Sequence, residues 1–83
     1  MDVTSMKNIG AAMQTKLQAI GIQSAEALRQ LGSKAAFVRL KANYPEVCLV
    51  HLYALQGAVA DVELEMLPQA VKDDLKVFSD SMK

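Results

Sequence analysis

Residues 6–32 read M-K-N-I-G-A-A-M-Q-T-K-L-Q-A-I-G-I-Q-S-A-E-A-L-R-Q-L-G, and their punctuation decides the fold. Asn8-Ile9-Gly10 is a turn signal, because Asn and Gly both tolerate the left-handed conformation. Ile9, Met13, Leu17 and Ile20 then step by four, four and three, which places them on one face of a helix running from about Ala11 to Ala19. Gly21 stands where a left-handed C-terminal cap belongs, and Ile22 after it can pack back onto the helix it leaves. Ser24 suits the N-cap of a second helix, Ala25 to Leu31, with Leu28 and Leu31 inward and Glu26, Arg29 and Gln30 toward water. Gly32 ends it.

Working outward, Ser33 reads as the cap of a third helix through about Ala42, with Ala36, Phe37 and Leu40 as its apolar face. Pro45 fits the first turn of a fourth helix, where its missing N–H costs nothing, and the run from Val47 to Ala60 is apolar almost all round. A helix without a polar face belongs at the centre of the domain, and Gly57 and Ala58 allow another backbone close to it. Asp61 to Met66 reads as an irregular acidic connection. Pro68 opens the last helix, where Leu67, Val71, Leu75, Phe78 and Met82 form an amphipathic stripe. The expected architecture is all-α: about five short helices in a compact orthogonal bundle, with a helix-hairpin-helix (SAM-like) N-terminal half, as one domain over residues 1–83.

Composition narrows the function classes. Hydrophobic residues make up 52% of the 83 and charged residues 22%, which excludes a disordered tail. With no Trp and only Phe37, Tyr44, Tyr53 and Phe78 as aromatics, Leu, Val, Ala and Met must fill the core. The formal net charge is zero, which argues against a strongly basic nucleic-acid binder. The charge is split along the chain, however: six bases face two acids up to Tyr44, and three bases face seven acids after it. That split implies either a bipolar surface that pairs with protein or DNA, or an ordinary soluble surface. A lone cysteine, Cys48, permits no internal disulfide and points to a cytoplasmic protein. The N-terminus lacks the basic and apolar regions of a signal peptide, and the longest apolar stretch is too short and too interrupted to span a membrane.

No catalytic or cofactor-binding constellation emerges. Cys48 and His51, three apart on a helix, share a face; two ligands are too few for a structural zinc site, and the plain reading is a buried thiol beside a satisfied histidine. Glu63 and Glu65 read as solvated charge, and no phosphate-loop, zinc-protease or nucleophile-elbow pattern occurs. The expectation is no enzyme, no cofactor and no metal. The one candidate site is the tight turn feeding a helix N-terminus, where the N–H groups of Gly10, Ala11 and Ala12 and the helix dipole suit a phosphate. Asn8, Gly10, Ala11, Ala12, Lys16 and Lys34 are the residues such a contact would use; the alternative is a purely structural hairpin. The turn resembles the helix-hairpin-helix element of DNA-associated proteins, with Asn8 in place of the first glycine and Ala12 where a base often stands.

Taken whole, the sequence is similar to the C-terminal domain of the TfoX/Sxy family of bacterial competence regulators. The likeness rests on Asn8-Ile9-Gly10, on residues 17–22 (L-Q-A-I-G-I) and 24–32 (S-A-E-A-L-R-Q-L-G), on 36–41 (A-F-V-R-L-K), on 52–58 (L-Y-A-L-Q-G-A) and on Leu67-Pro68. Leu64 departs from it, standing where members often carry a Trp. The resemblance implies a non-enzymatic role in regulating DNA-uptake genes, alongside the cyclic-AMP receptor protein, with a protein partner (transcription machinery or a second copy) and weak DNA contact as the alternative. It also implies a C-terminal-type domain without the N-terminal domain of two-domain members, whether stand-alone or part of a longer chain.

Overall fold

Two glycines set the path of the first half. In the computed structural model, which describes residues 2–82, Gly21 and Gly32 both adopt φ +90°, a conformation that side chains beyond glycine rarely take. Helix α1 (Ala11–Ala19) closes with the Ile22 amide donating to the Leu17 carbonyl at 2.9 Å and the Gly21 amide to Gln18 at 3.1 Å. This is the paired termination that a left-handed glycine permits, and it buries Ile22. Helix α2 (Ala25–Leu31) starts as expected, with the Ser24 hydroxyl accepting from the Ala27 amide at 3.1 Å. Helix α3 (Ser33–Asn43) follows without a linker, because Gly32 serves as both the end of α2 and the N-cap of α3. Ser33 is therefore not the cap. It is the first helical residue, buried, and its hydroxyl donates to Gln56 Oε1 at 2.6 Å.

Helix α4 (Leu49–Ala60) begins four residues later than Pro45 suggested. The Val47 amide donates to the Tyr44 carbonyl at 3.0 Å, and Lys41 reaches back with its Nζ to the carbonyls of Pro45 (3.2 Å) and Val47 (2.8 Å). Those bonds satisfy the backbone in a turn, so Pro45 does not open a helix. Cys48 becomes the N-cap of α4 and is exposed, not buried as the apolar run implied. A left-handed Asp61 (φ 61°) ends α4, and the connection to α5 (Gln69–Asp80) contains a 3₁₀ turn, Leu64–Met66. A second 3₁₀ turn, Val3–Ser5, precedes the Asn8 turn and stands where a hairpin's first helix would.

Helix α4 is the hub: it packs against α3, α5 and the Leu64–Met66 turn. Phe37, Leu17, Leu28, Leu40, Leu52 and Leu55 are fully buried, so aliphatic side chains dominate the core. On α5 Leu75 is buried and Val71 and Phe78 are partly buried, as is Met82 just past the helix end, as the stripe predicts, while Val77 points outward. The longest dimension is 29 Å, in keeping with short helices packed across one another. The fold is all-α, and no described residue lies in a strand.

Candidate functional site

The Asn8 turn is built differently from its sequence reading. The left-handed residue is Asn8 (φ 70°), whereas Gly10 sits in extended backbone at φ −102°. The Asn8 side chain does not face outward. Its Nδ2 donates to the Val62 carbonyl at 3.0 Å and its Oδ1 accepts from the Leu64 amide at 3.1 Å. The amide group lies directly over Gly57, where a Cβ would collide with Asn8 Nδ2 and sit 2.6 Å from the Val62 carbonyl oxygen. The close approach expected at Gly57 is therefore made by a side chain and by the end of α4's own connection.

Gly10, in contrast, is exposed, has open space where a Cβ would stand, and offers no side-chain cap to α1. The first N–H groups of a helix have no partner within it, so the start of α1 is an uncovered positive end. It opens on a groove of about 290 Å³ whose lining includes Asn8, Gly10, Ala12, Met13 and Lys16 from the N-terminal side and Val50, His51, Ala54 and Leu64 opposite. Lys16 is partly buried. Its Nζ lies 5.6 Å from the Tyr44 ring centroid and 3.9 Å from a Glu46 carboxylate oxygen.

Four of the six residues singled out from sequence (Asn8, Gly10, Ala12 and Lys16) thus line one groove, Lys16 from the last turn of α1, and Ala11 opens the helix between Gly10 and Ala12. Lys34 does not join them. It lines a larger open groove of about 740 Å³ between the start of α3, α4 and α5, floored by Leu31, Val59, Val71 and Leu75. There Lys34 Nζ is 2.8 Å from an Asp74 carboxylate oxygen and 5.3 Å from the Phe78 ring centroid. Ser33 and Gln56, neither of them a candidate site residue from sequence, share this groove. No local signal could have paired two residues 23 positions apart. Both ion pairs join a base from the first half to an acid from the second. Folding therefore sets two bases of the first half against two acids of the second.

Cys48 and His51 are brought together as their spacing suggested. His51 Nδ1 accepts from the Cys48 backbone N–H at 3.0 Å and lies 3.5 Å from Cys48 Sγ. Among the described residues no group of three or more His, Cys, Asp and Glu side chains is placed to hold a metal ion. None of the described helices is long and apolar enough to cross a membrane.

The fold and its open grooves define a small all-helical domain that presents surfaces rather than an enclosed cleft. The family model of the TfoX C-terminal domain matches residues 2–78, and the chain belongs to that family. It is 30% identical over 77 residues to Protein Sxy of Escherichia coli (strain K12), an alignment covering 93% of this chain and 37% of that relative. The chain thus spans little more than a third of the length of the curated relative it matches. Two crystal structures from Listeria monocytogenes, a triclinic form of an uncharacterized protein and a tetragonal form of a protein of unknown function, are each 36% identical to it. Both superpose with a TM-score of 0.96, covering 99% of this chain and 93% and 100% of theirs.

Proposed function

We propose that this chain is a non-catalytic regulatory domain of the competence type, acting through protein–protein contacts in the transcriptional control of DNA uptake. One observation carries the choice of protein over DNA as the partner: three of the four lysines of the basic half are already held by groups of the domain itself. Lys34 is held by Asp74, Lys16 lies beside Glu46, and Lys41 is turned onto the carbonyls of Pro45 and Val47. A phosphate backbone would have to compete with each of those partners. The large groove, with an apolar floor and a charged pair at its rim, suits a protein surface better. The test is a DNA-uptake reporter in cells carrying the full chain or its Ala70→Arg variant, whose bulky charge fills the groove from an exposed position. The expected result is reduced reporter activity with the helical circular dichroism unchanged. Undiminished reporter activity with the groove filled counts against the reading.

The second reading is weak, sequence-independent contact between the Asn8–Ala12 turn and a DNA backbone. The uncapped, exposed Gly10 at the start of α1 favours it. About three phosphate contacts give a log–log salt slope near −2.7. Anisotropy of a fluorescent duplex of about 25 base pairs, at roughly 50 and 200 mM salt, separates the two readings. Binding that collapses at the higher salt, and weakens on Lys16→Ala, supports DNA contact. No binding at either salt leaves the protein partner.

A further inference from the structure

His51 is the only histidine of the chain and occupies the third position of α4, which packs against α3, α5 and the Leu64–Met66 turn. Its Nδ1 accepts the backbone N–H of Cys48, the N-cap, while the Cys48 side chain accepts from the His51 backbone. This reciprocal arrangement usually employs Ser or Thr at the cap and Glu or Gln three residues on. With imidazole in the acceptor role, the arrangement depends on protonation. A neutral ring accepts at Nδ1 only when its proton is on Nε2, and an imidazolium donates at both nitrogens and accepts at neither.

Beside Nδ1 lies the Cys48 Sγ at 3.5 Å, a weak acceptor for a protonated ring. The ring sits at the positive end of a 12-residue helix. Across the groove α1 presents Lys16, and the 3₁₀ turn presents the apolar Leu64. Beyond Cys48, α3 and α5 contribute Lys41, Lys76 and Asp80 to a shallow hollow that Cys48 shares and His51 does not. Among the described residues no carboxylate lies within ion-pair distance of His51. Glu46, the nearest acid in sequence, lies beside Lys16.

We propose that His51 is a pH-responsive latch on the first turn of α4: the neutral ring ties the turn to its cap, and protonation releases it. The sign follows from the geometry: protonation turns the acceptor at Nδ1 into a donor, so the bond from the Cys48 amide exists only with the neutral ring. The released turn carries Val50 and His51, which form one wall of the groove at the start of α1. Mild acid therefore loosens that groove and leaves the distant core in place.

The test uses the whole chain and its His51→Gln variant, whose side-chain carbonyl can accept the same amide and does not titrate. Ring nitrogen shifts in NMR should show the Nε2–H tautomer at pH 7.5. The Cys48 amide should lose its exchange protection as the ring titrates. Between pH 7.5 and 5.5 the Tm of the wild-type chain should fall by about 5 °C more than that of the variant. A proton on Nδ1 at pH 7.5, or parallel Tm profiles for the two proteins, overturns the proposal. The NMR arm stands even if the variant folds poorly.

Discussion

At the scale of single residues, Asn8 does the work of two. Its backbone takes the left-handed turn, and its side chain ties the N-terminal segment to the Val62–Leu64 connection more than fifty residues away. Asn8→Ala loses both bonds and strains the turn, and should cost about 2–4 kcal/mol in urea denaturation. Asn8→Gly keeps the turn free of strain and loses only the bonds, so it should cost about 1–2 kcal/mol. If the two variants are equally stable, the left-handed backbone contributes nothing. Gly57→Ala places a methyl group against Asn8 and should cost about 1–3 kcal/mol despite alanine's better helix propensity. In an Asn8→Ala background the same change should cost less, because one of the two atoms it meets has gone; equal costs would show that the Val62 carbonyl alone sets the limit. The need for a small residue at position 57 was legible in the sequence, since a glycine in an otherwise apolar helix signals a close approach. What approaches was not legible, because a side-chain amide bonding across 54 positions leaves no local trace.

At the scale of elements, α5 shows how far periodicity reaches. Leu75 is on its buried stripe, and Val77, two residues on, is 70% exposed although equally apolar in type. Leu75→Ala should cost about 2–5 kcal/mol, whereas Val77→Glu should stay within about 0.5 kcal/mol of the parent, both read from thermal unfolding. A large loss at Val77 would mean that this face is covered. The N-terminal 3₁₀ turn depends on one exposed carboxylate. Asp2 accepts from the Thr4 amide at 3.0 Å and from Gln14 Nε2 at 2.6 and 2.7 Å. The Thr4 backbone N–H is the main cause holding the Asp2 carboxyl below its ordinary value, with the Thr4 and Gln14 side chains adding to it. A group so lowered stabilises the folded turn above its unfolded pKa, near 3.9, and loses that effect as pH falls through the folded value. The protection of the Thr4 amide, its exchange rate relative to that of an unstructured amide at the same pH, should therefore hold at neutral pH and fall away below about pH 4, and Asp2→Ala should abolish the dependence. The element boundaries that sequence misplaced, at Ser33 and Pro45, share a cause. Each residue type suits a helix start, and each was displaced by a competing bond: Gly32's turn in one case, Lys41's reach to the Pro45 and Val47 carbonyls in the other.

At the scale of the whole molecule, a domain of 83 residues has roughly 4–12 kcal/mol of stability, so its few large buried side chains decide whether it folds. Phe37 is completely buried, and Phe37→Ala should cost about 3–5 kcal/mol, leaving a protein with a lowered Tm or none at all. A change of only a few degrees would place the centre of the core elsewhere. The all-helical class, the five helices, the glycine stops and the buried stripe of α5 were determined by the sequence alone. They follow from backbone conformation and from 3.6-residue periodicity, which act over a few residues. Only the tertiary structure decided which way Asn8 points, that Lys16 and Lys34 lie in different grooves, and that bases of the first half meet acids of the second. Those outcomes depend on contacts between segments distant along the chain, and such contacts exist only once the helices have packed.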